Sequence, residues 1–152
     1  MAFWLVRITD LETFSRCSLH SFWLLNSKNV WNGKKFFHNV KKGDIIWFIL
    51  PKSEGLIVAM AKFKKFKNRE LGPLLNFSMT NSELKLPKSM KECDTEMYFS
   101  KLYNLDRLNL KSNAKFARDF CEAGPNKNRD LYQILTEEYQ LIKRYSKLKR
   151  YM

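Results

Sequence analysis

Apolar residues along this chain gather into short runs broken by polar clusters, and the period of the runs changes from one region to the next. "FWLVRI", Phe3 to Ile8, is β-rich and predicts a first strand. Thr9 or Asp10 then caps a short amphipathic helix in "TDLETFSRCSLHS", where Leu11, Phe14 and Cys17 or Ser18 share a face. Phe22 to Leu25 predicts a second strand, and Asn32 to Val40 one or two helical turns with Phe36 and Phe37 inward and Lys34 and Lys35 outward. In "KKGDIIWFILP", Gly43 and Asp44 bend the chain and Ile45 to Leu50 is an unbroken apolar run that Pro51 ends, which predicts a central buried strand. Trp4 and Trp47 are each embedded in such a core strand. "KSEG" predicts a hairpin loop, and "LIVAMAKFKKFKNR" returns as a long strand whose second half mixes Phe63 and Phe66 with lysines. Ser78 to Cys93 reads as a loop, and Asp94 to Leu105 as a strand that closes the sheet. "NAKFARDFCEA" and "NRDLYQILTEEYQLIKRYSKLKRY" both predict helices, separated by "GPN" at Gly124 to Asn126. In the second, Leu131, Ile134, Leu135, Glu138, Leu141 and Ile142 fall near one face, and Lys143, Arg144, Lys147, Lys149 and Arg150 cluster at its end. The expected fold class is α+β: a small curved sheet or barrel flanked by helices, with a C-terminal helical extension.

Composition narrows the class further. The 152 residues suit one domain with a real core, and 45% hydrophobic content with only five Gly and four Pro excludes a disordered chain. A net charge of +13 attracts polyanions, so nucleic acid, RNA or DNA, is the leading partner. No apolar run approaches the roughly 20 residues that cross a bilayer, and "MAFWLVRITD" does not read as a secretory signal, so no membrane partner and no secretion are expected. Cys17, Cys93 and Cys121 are odd in number and far apart, which argues for a reducing compartment, cytoplasm or nucleus. Cys17 and His20 have C-x-x-H spacing without a second ligand pair, so no metal and no cofactor are expected. With two histidines, no phosphate-cradling glycine loop and no nucleophile elbow, the chain reads as a binding module with no catalytic residues.

Two features stand out from a generic basic domain. Trp23 and Trp31 flank a polar segment that contains Asn26, Ser27 and Asn29, where a core would not place large rings. Lys62, Lys64, Lys65, Lys67 and Arg69 form the densest interior basic run, and Lys34, Lys35, Lys41 and Lys42 form a second group, both suited to phosphate.

The order of "FWLVRI", a short helix, "FWLLN", "VWNGK" and "VKKGDIIWFILPKSEGLIVAMAKF" resembles the PUA-like superfamily, specifically its EVE and YTH branch, over roughly the first 105 positions. "TNSEL" and "MYFSKLYNL" resemble the later segments of divergent EVE-like proteins of large DNA viruses. Departures are "NGKKFF", which lacks the usual Val-Arg-Asn, and Ala59 to Ala61, which replaces a usual glycine. The resemblance implies an EVE/YTH-like domain over 1–110; the helices beyond it read as a basic C-terminal extension over 111–152, packed on that domain or projecting from it. It also implies a reader of a modified, methylated base flipped into an aromatic pocket, with the carry-over landing on Trp23 and Trp31.

Physically, indole faces restore the stacking that an extruded base loses, about 1 to 3 kcal/mol per base. Trp23 and Trp31 would be the walls, with Trp47 a further lining residue, and Asn26, Ser27 and Asn29 would read the base edge. The phosphate contacts would come from Lys34, Lys35, Lys62, Lys64, Lys65, Lys67 and Arg69. The expected location is the host cytoplasm or nucleus, with virion association, and the last helix is a candidate docking element for a protein partner. The alternative is a basic packaging or virion-associated protein that coats nucleic acid without base specificity.

Overall fold

Alternation along one short strand sets up both sides of the molecule. In β1 (Phe3–Arg7), Phe3 and Leu5 face one way and Trp4 and Val6 the other, and all four are buried, so the strand is central and covered on both faces. The structure is a computed structural model that describes residues 1–26, 33–50, 56–68, 93, 95–109 and 120–150. The elements in order are β1, α1 (Leu11–Ser18), β2 (Phe22–Leu25), α2 (Gly33–Asn39), β3 (Ile45–Ile49), β4 (Leu56–Asn68), β5 (Thr95–Asn109), β6 (Phe120–Ala123) and α3 (Arg129–Arg150).

The strands form one six-stranded sheet in the order β2-β5-β4-β3-β1-β6. β1 and β3 are parallel and every other pairing is antiparallel. The parallel pair requires a crossover, which is the work of α1, β2 and α2. One core contains Trp4, Phe14, Cys17, Trp23, Phe36, Phe48 and Phe99, under α1 and α2. The other contains Phe3, Leu5, Trp47, Ile57 and Met60 under Leu131, Leu135 and Tyr139 of α3. This is the expected α+β class, a mixed six-stranded sheet with helices and a C-terminal helix.

Asp10 caps α1 from extended backbone, and its carboxylate accepts from the Thr13 amide at 2.7 Å and the Thr13 hydroxyl at 2.9 Å. Burial alone would raise the Asp10 pKa. The Thr13 and Thr9 hydrogen bonds and the Arg16 charge outweigh it, and the carboxyl ends below its ordinary value. The buried stripe of α1 is Thr13, Phe14 and Cys17, whereas Leu11, expected inward, is 50% exposed at the first helical position beside the cap.

Three further expectations change. The strand expected to close the sheet is longer, β5, and lies inside it between β2 and β4. The end of "NAKFARDFCEA", expected to be helical, is strand β6, which pairs antiparallel with β1 from Phe3–Ala123 to Val6–Phe120. A β-partner for an otherwise open strand edge outweighs local helical preference. Residues on either side of position 110 therefore share one sheet, because β6 and α3 complete the sheet and the second core. In α3 the inward stripe is Leu131, Leu135 and Tyr139, each four positions on, and Leu141, two positions beyond Tyr139, is 56% exposed. The loops expected at 52–55 and 78–92 and the helical reading of 113–119 fall outside the described residues.

Candidate nucleic-acid interface

The Gly43–Asp44 turn anchors the elements from which a site can be built. Gly43 has φ +93°, a left-handed conformation that suits glycine, and its amide donates to the Phe63 carbonyl at 3.0 Å. The buried Asp44 carboxylate accepts from the Ala2 amide at 3.0 Å, the Trp4 indole at 3.2 Å and the Lys41 amide at 2.9 Å. The Phe63 amide donates to the Asp44 carbonyl at 2.8 Å. One residue thus ties the start of β1, the end of α2 and the middle of β4 together, leaving Lys41 and Lys42 exposed beside it.

The tryptophans do not gather around one opening. Trp23 is 2% exposed, with its ring 5.7 Å from that of Phe14, which in turn packs 4.6 Å from Phe48. Trp47 is fully buried in the other core, 5.7 Å from Phe3. The sheet separates the two indoles, because Trp23 sits under α1 and Trp47 under α3. Both are packed in cores here, where one shared base pocket was expected. Their rows reach β5 at Met97 and Tyr103, six positions apart, and the bulge between Ser100 and Tyr103, where Lys101 has φ +50°, exchanges the two faces. Asn26 is half-buried at the end of β2. Ser27, Asn29 and Trp31 lie outside the described residues, as does Arg69. Lys34 and Lys35 belong to α2 by their backbone, and their side chains lie outside the description.

The basic half of β4 is where geometry gathers charge. From Phe63 to Lys65 the strand advances two residues while β5 steps one, from Phe99 to Tyr98, so Lys64 is the extra residue of a β-bulge. The bulge keeps both Phe63 and Phe66 on the first core, three positions apart, and sends Lys65 and Lys67 to the other side. There the Lys65 and Lys67 ammoniums stand 5.7 Å and 5.6 Å from the centroid of the Tyr98 ring. Lys64 and Lys65 are exposed, and Lys62, Lys67 and Tyr98 are half-buried. On the core side Phe66 lies 5.0 Å from Phe37 and 5.8 Å from Phe36, so the same strand segment is fastened to α2.

Tyr98 was not among the residues singled out from the sequence. Its hydroxyl donates to buried Glu96 at 2.9 Å, and desolvation, then the Glu96 hydrogen bond and charge, push the phenol up to about 12. The only signal for it in sequence was "FKKFK" opposite an aromatic strand, and that pairing is set by the fold. Cys17 is buried while His20 is exposed. Among the described residues no group of His, Cys, Asp or Glu is arranged to hold a metal. Burial pushes the Cys17 thiol up to about 12, with Arg16 opposing weakly, so it remains a protonated core group. No helix among the described residues is long and apolar enough to cross a membrane.

No model of a protein family matches the chain, and no curated protein matches it. Solved structures do. The YTH domain of Pho92 in complex with m6A superposes with a TM-score of 0.57 at 10% identity, covering 88% of this chain and 84% of that one. The fold is YTH-like. The YTH domain of Zygosaccharomyces rouxii MRB1, in complex with N6-methyladenosine RNA, gives 0.53 at 10% identity over 88% of this chain and 85% of its own. A Toxoplasma CPSF4-YTH domain in apo form gives 0.52 at 11% identity over 90% and 86%. The match extends well past the first 105 positions, consistent with the C-terminal strand and helix belonging to the fold.

Proposed function

We propose that this chain is a binding module for single-stranded nucleic acid, RNA first, that reads a methylated base, and that it is not an enzyme. The observation that carries the reading is the YTH-like fold itself, two of whose structural neighbours are described as bound to m6A or to N6-methyladenosine RNA. The charge of +13 and the exposed lysines of β4 support a polyanionic partner. With Trp23 packed on Phe14 and Trp47 across the sheet, stacking on the base falls to Trp31, and reading of its edge to Asn26, Ser27 and Asn29 in the β2–α2 connection. Lys34, Lys35, Lys62, Lys64, Lys65, Lys67 and Arg69 hold the backbone. Kinship with EVE-like proteins of DNA viruses, and a place in the host cytoplasm, nucleus or virion, belong to the same proposal and rest on the sequence resemblance.

Matched single-stranded RNAs that differ only in one N6-methyladenosine, alongside DNAs with and without 5-methylcytosine, test it by fluorescence anisotropy. Preference for the methylated RNA is expected, and Trp31→Ala should abolish the preference while a folded protein still binds both RNAs. Equal, salt-dependent affinity for every oligonucleotide would overturn base reading in favour of nonspecific coating.

A further inference from the structure

We infer that Lys65 and Lys67, gathered over the Tyr98 ring, form a clamp for a backbone phosphate of the bound strand, with Tyr98 as its positioning residue. The inference rests on the nucleic-acid reading above and adds a defined contact to it. The bulge at Lys64 places Lys65 opposite Tyr98 and Lys67 opposite Glu96, so both lysines rise from the same side of β4 toward one ring.

Each ammonium lies within reach of the same ring, and the ring face attracts both. Glu96, opposite Lys67, engages the Tyr98 hydroxyl through one carboxylate oxygen, and the two cations outnumber that one charge, so a phosphate within their reach is favoured. A lysine normally loses rotamer freedom when it engages a phosphate; here the ring has already restricted both side chains, so less is lost on binding. The Tyr98 hydroxyl, held at 2.9 Å by the buried Glu96, fixes the tilt of the ring that gathers them. A phosphodiester suits the site because it carries one charge and four oxygens, and it repeats at every nucleotide whatever the base. The clamp therefore contributes affinity without base preference.

The test is a set of variants titrated with methylated and unmethylated single-stranded RNA over a range of salt, with thermal melting as the check on folding. Tyr98→Leu should weaken both RNAs alike, about fivefold, and Tyr98→Phe, which keeps the ring but loses the Glu96 hydrogen bond that sets its tilt, should fall between that variant and the parent. In a Lys65→Ala/Lys67→Ala background, Tyr98→Leu should cost almost nothing more, because the ring acts through those lysines. That double variant should flatten the log–log salt slope by about 0.7, the value for one phosphate, where two independent contacts would give about 1.4. Losses from Tyr98→Leu that are equal in both backgrounds would overturn the clamp, as would a salt slope flattened by about 1.4 in the double lysine variant. Neither result touches the base-reading proposal, which fails separately if methylation makes no difference. Absence of any RNA binding overturns both.

Discussion

Asp10 and Trp23 show how far a single side chain can be assigned by its surroundings. Trp23 packs edge-on against Phe14 in a core that continues through Phe48 to Phe99. Trp23→Ala should accordingly cost about 3 to 5 kcal/mol of stability in urea unfolding. A ring lining an open slot would lose far less, so a small effect would return Trp23 to the pocket. Asp10 titrates below its ordinary value, so its folded pKa lies under its unfolded one. Its contribution is then fully present above the unfolded pKa and is lost as pH falls through the folded value. Asp10→Ala should cost about 1 kcal/mol at neutral pH. The gap between variant and parent should close below about pH 4, read from urea midpoints across a pH series.

At the scale of elements, β4 is the informative case. A strand of strict alternation cannot put Phe63 and Phe66 on one face, since they are three positions apart. The unpaired Lys64 resolves the conflict. Deleting one of the two adjacent lysines, Lys64 or Lys65, leaves the run Phe-Lys-Phe-Lys, which alternates regularly and keeps Phe63 opposite Phe99 and Phe66 opposite Met97. The deletion should fold and melt within about 5 °C of the parent. Deleting Phe66 instead removes a core ring and should lower the melting temperature by well over that amount. The strands up to β5, the α1 cap and the GD turn were legible because each is a local signal. The bulge was legible only as an odd spacing, and which strand lay opposite it was not.

For the whole molecule, β6 and α3 are the elements that complete the sheet and the second core. Leu131, Leu135 and Tyr139 of α3 cover Phe3 and Trp47, and Phe3 meets Tyr132 and Tyr139 at 5.5 Å and 5.7 Å. A chain ending at Asn128 would leave that sheet face bare. It should lose near-ultraviolet circular dichroism and bind a hydrophobic dye, whereas a freely projecting extension could be removed without either change.

By itself the sequence determined the elements from β1 to β4 and α3, the α+β class, the turn at Gly43–Asp44 and the polyanion-seeking charge, because these depend on neighbours a few positions apart and on totals. Only the tertiary structure decided which face each tryptophan occupies, that 120–123 pairs as a strand with β1, and that Tyr98 meets Lys65 and Lys67. Those outcomes are set by strand order and register between segments far apart in the chain. A shift of one residue in register exchanges the two faces of a strand, and no local pattern records it.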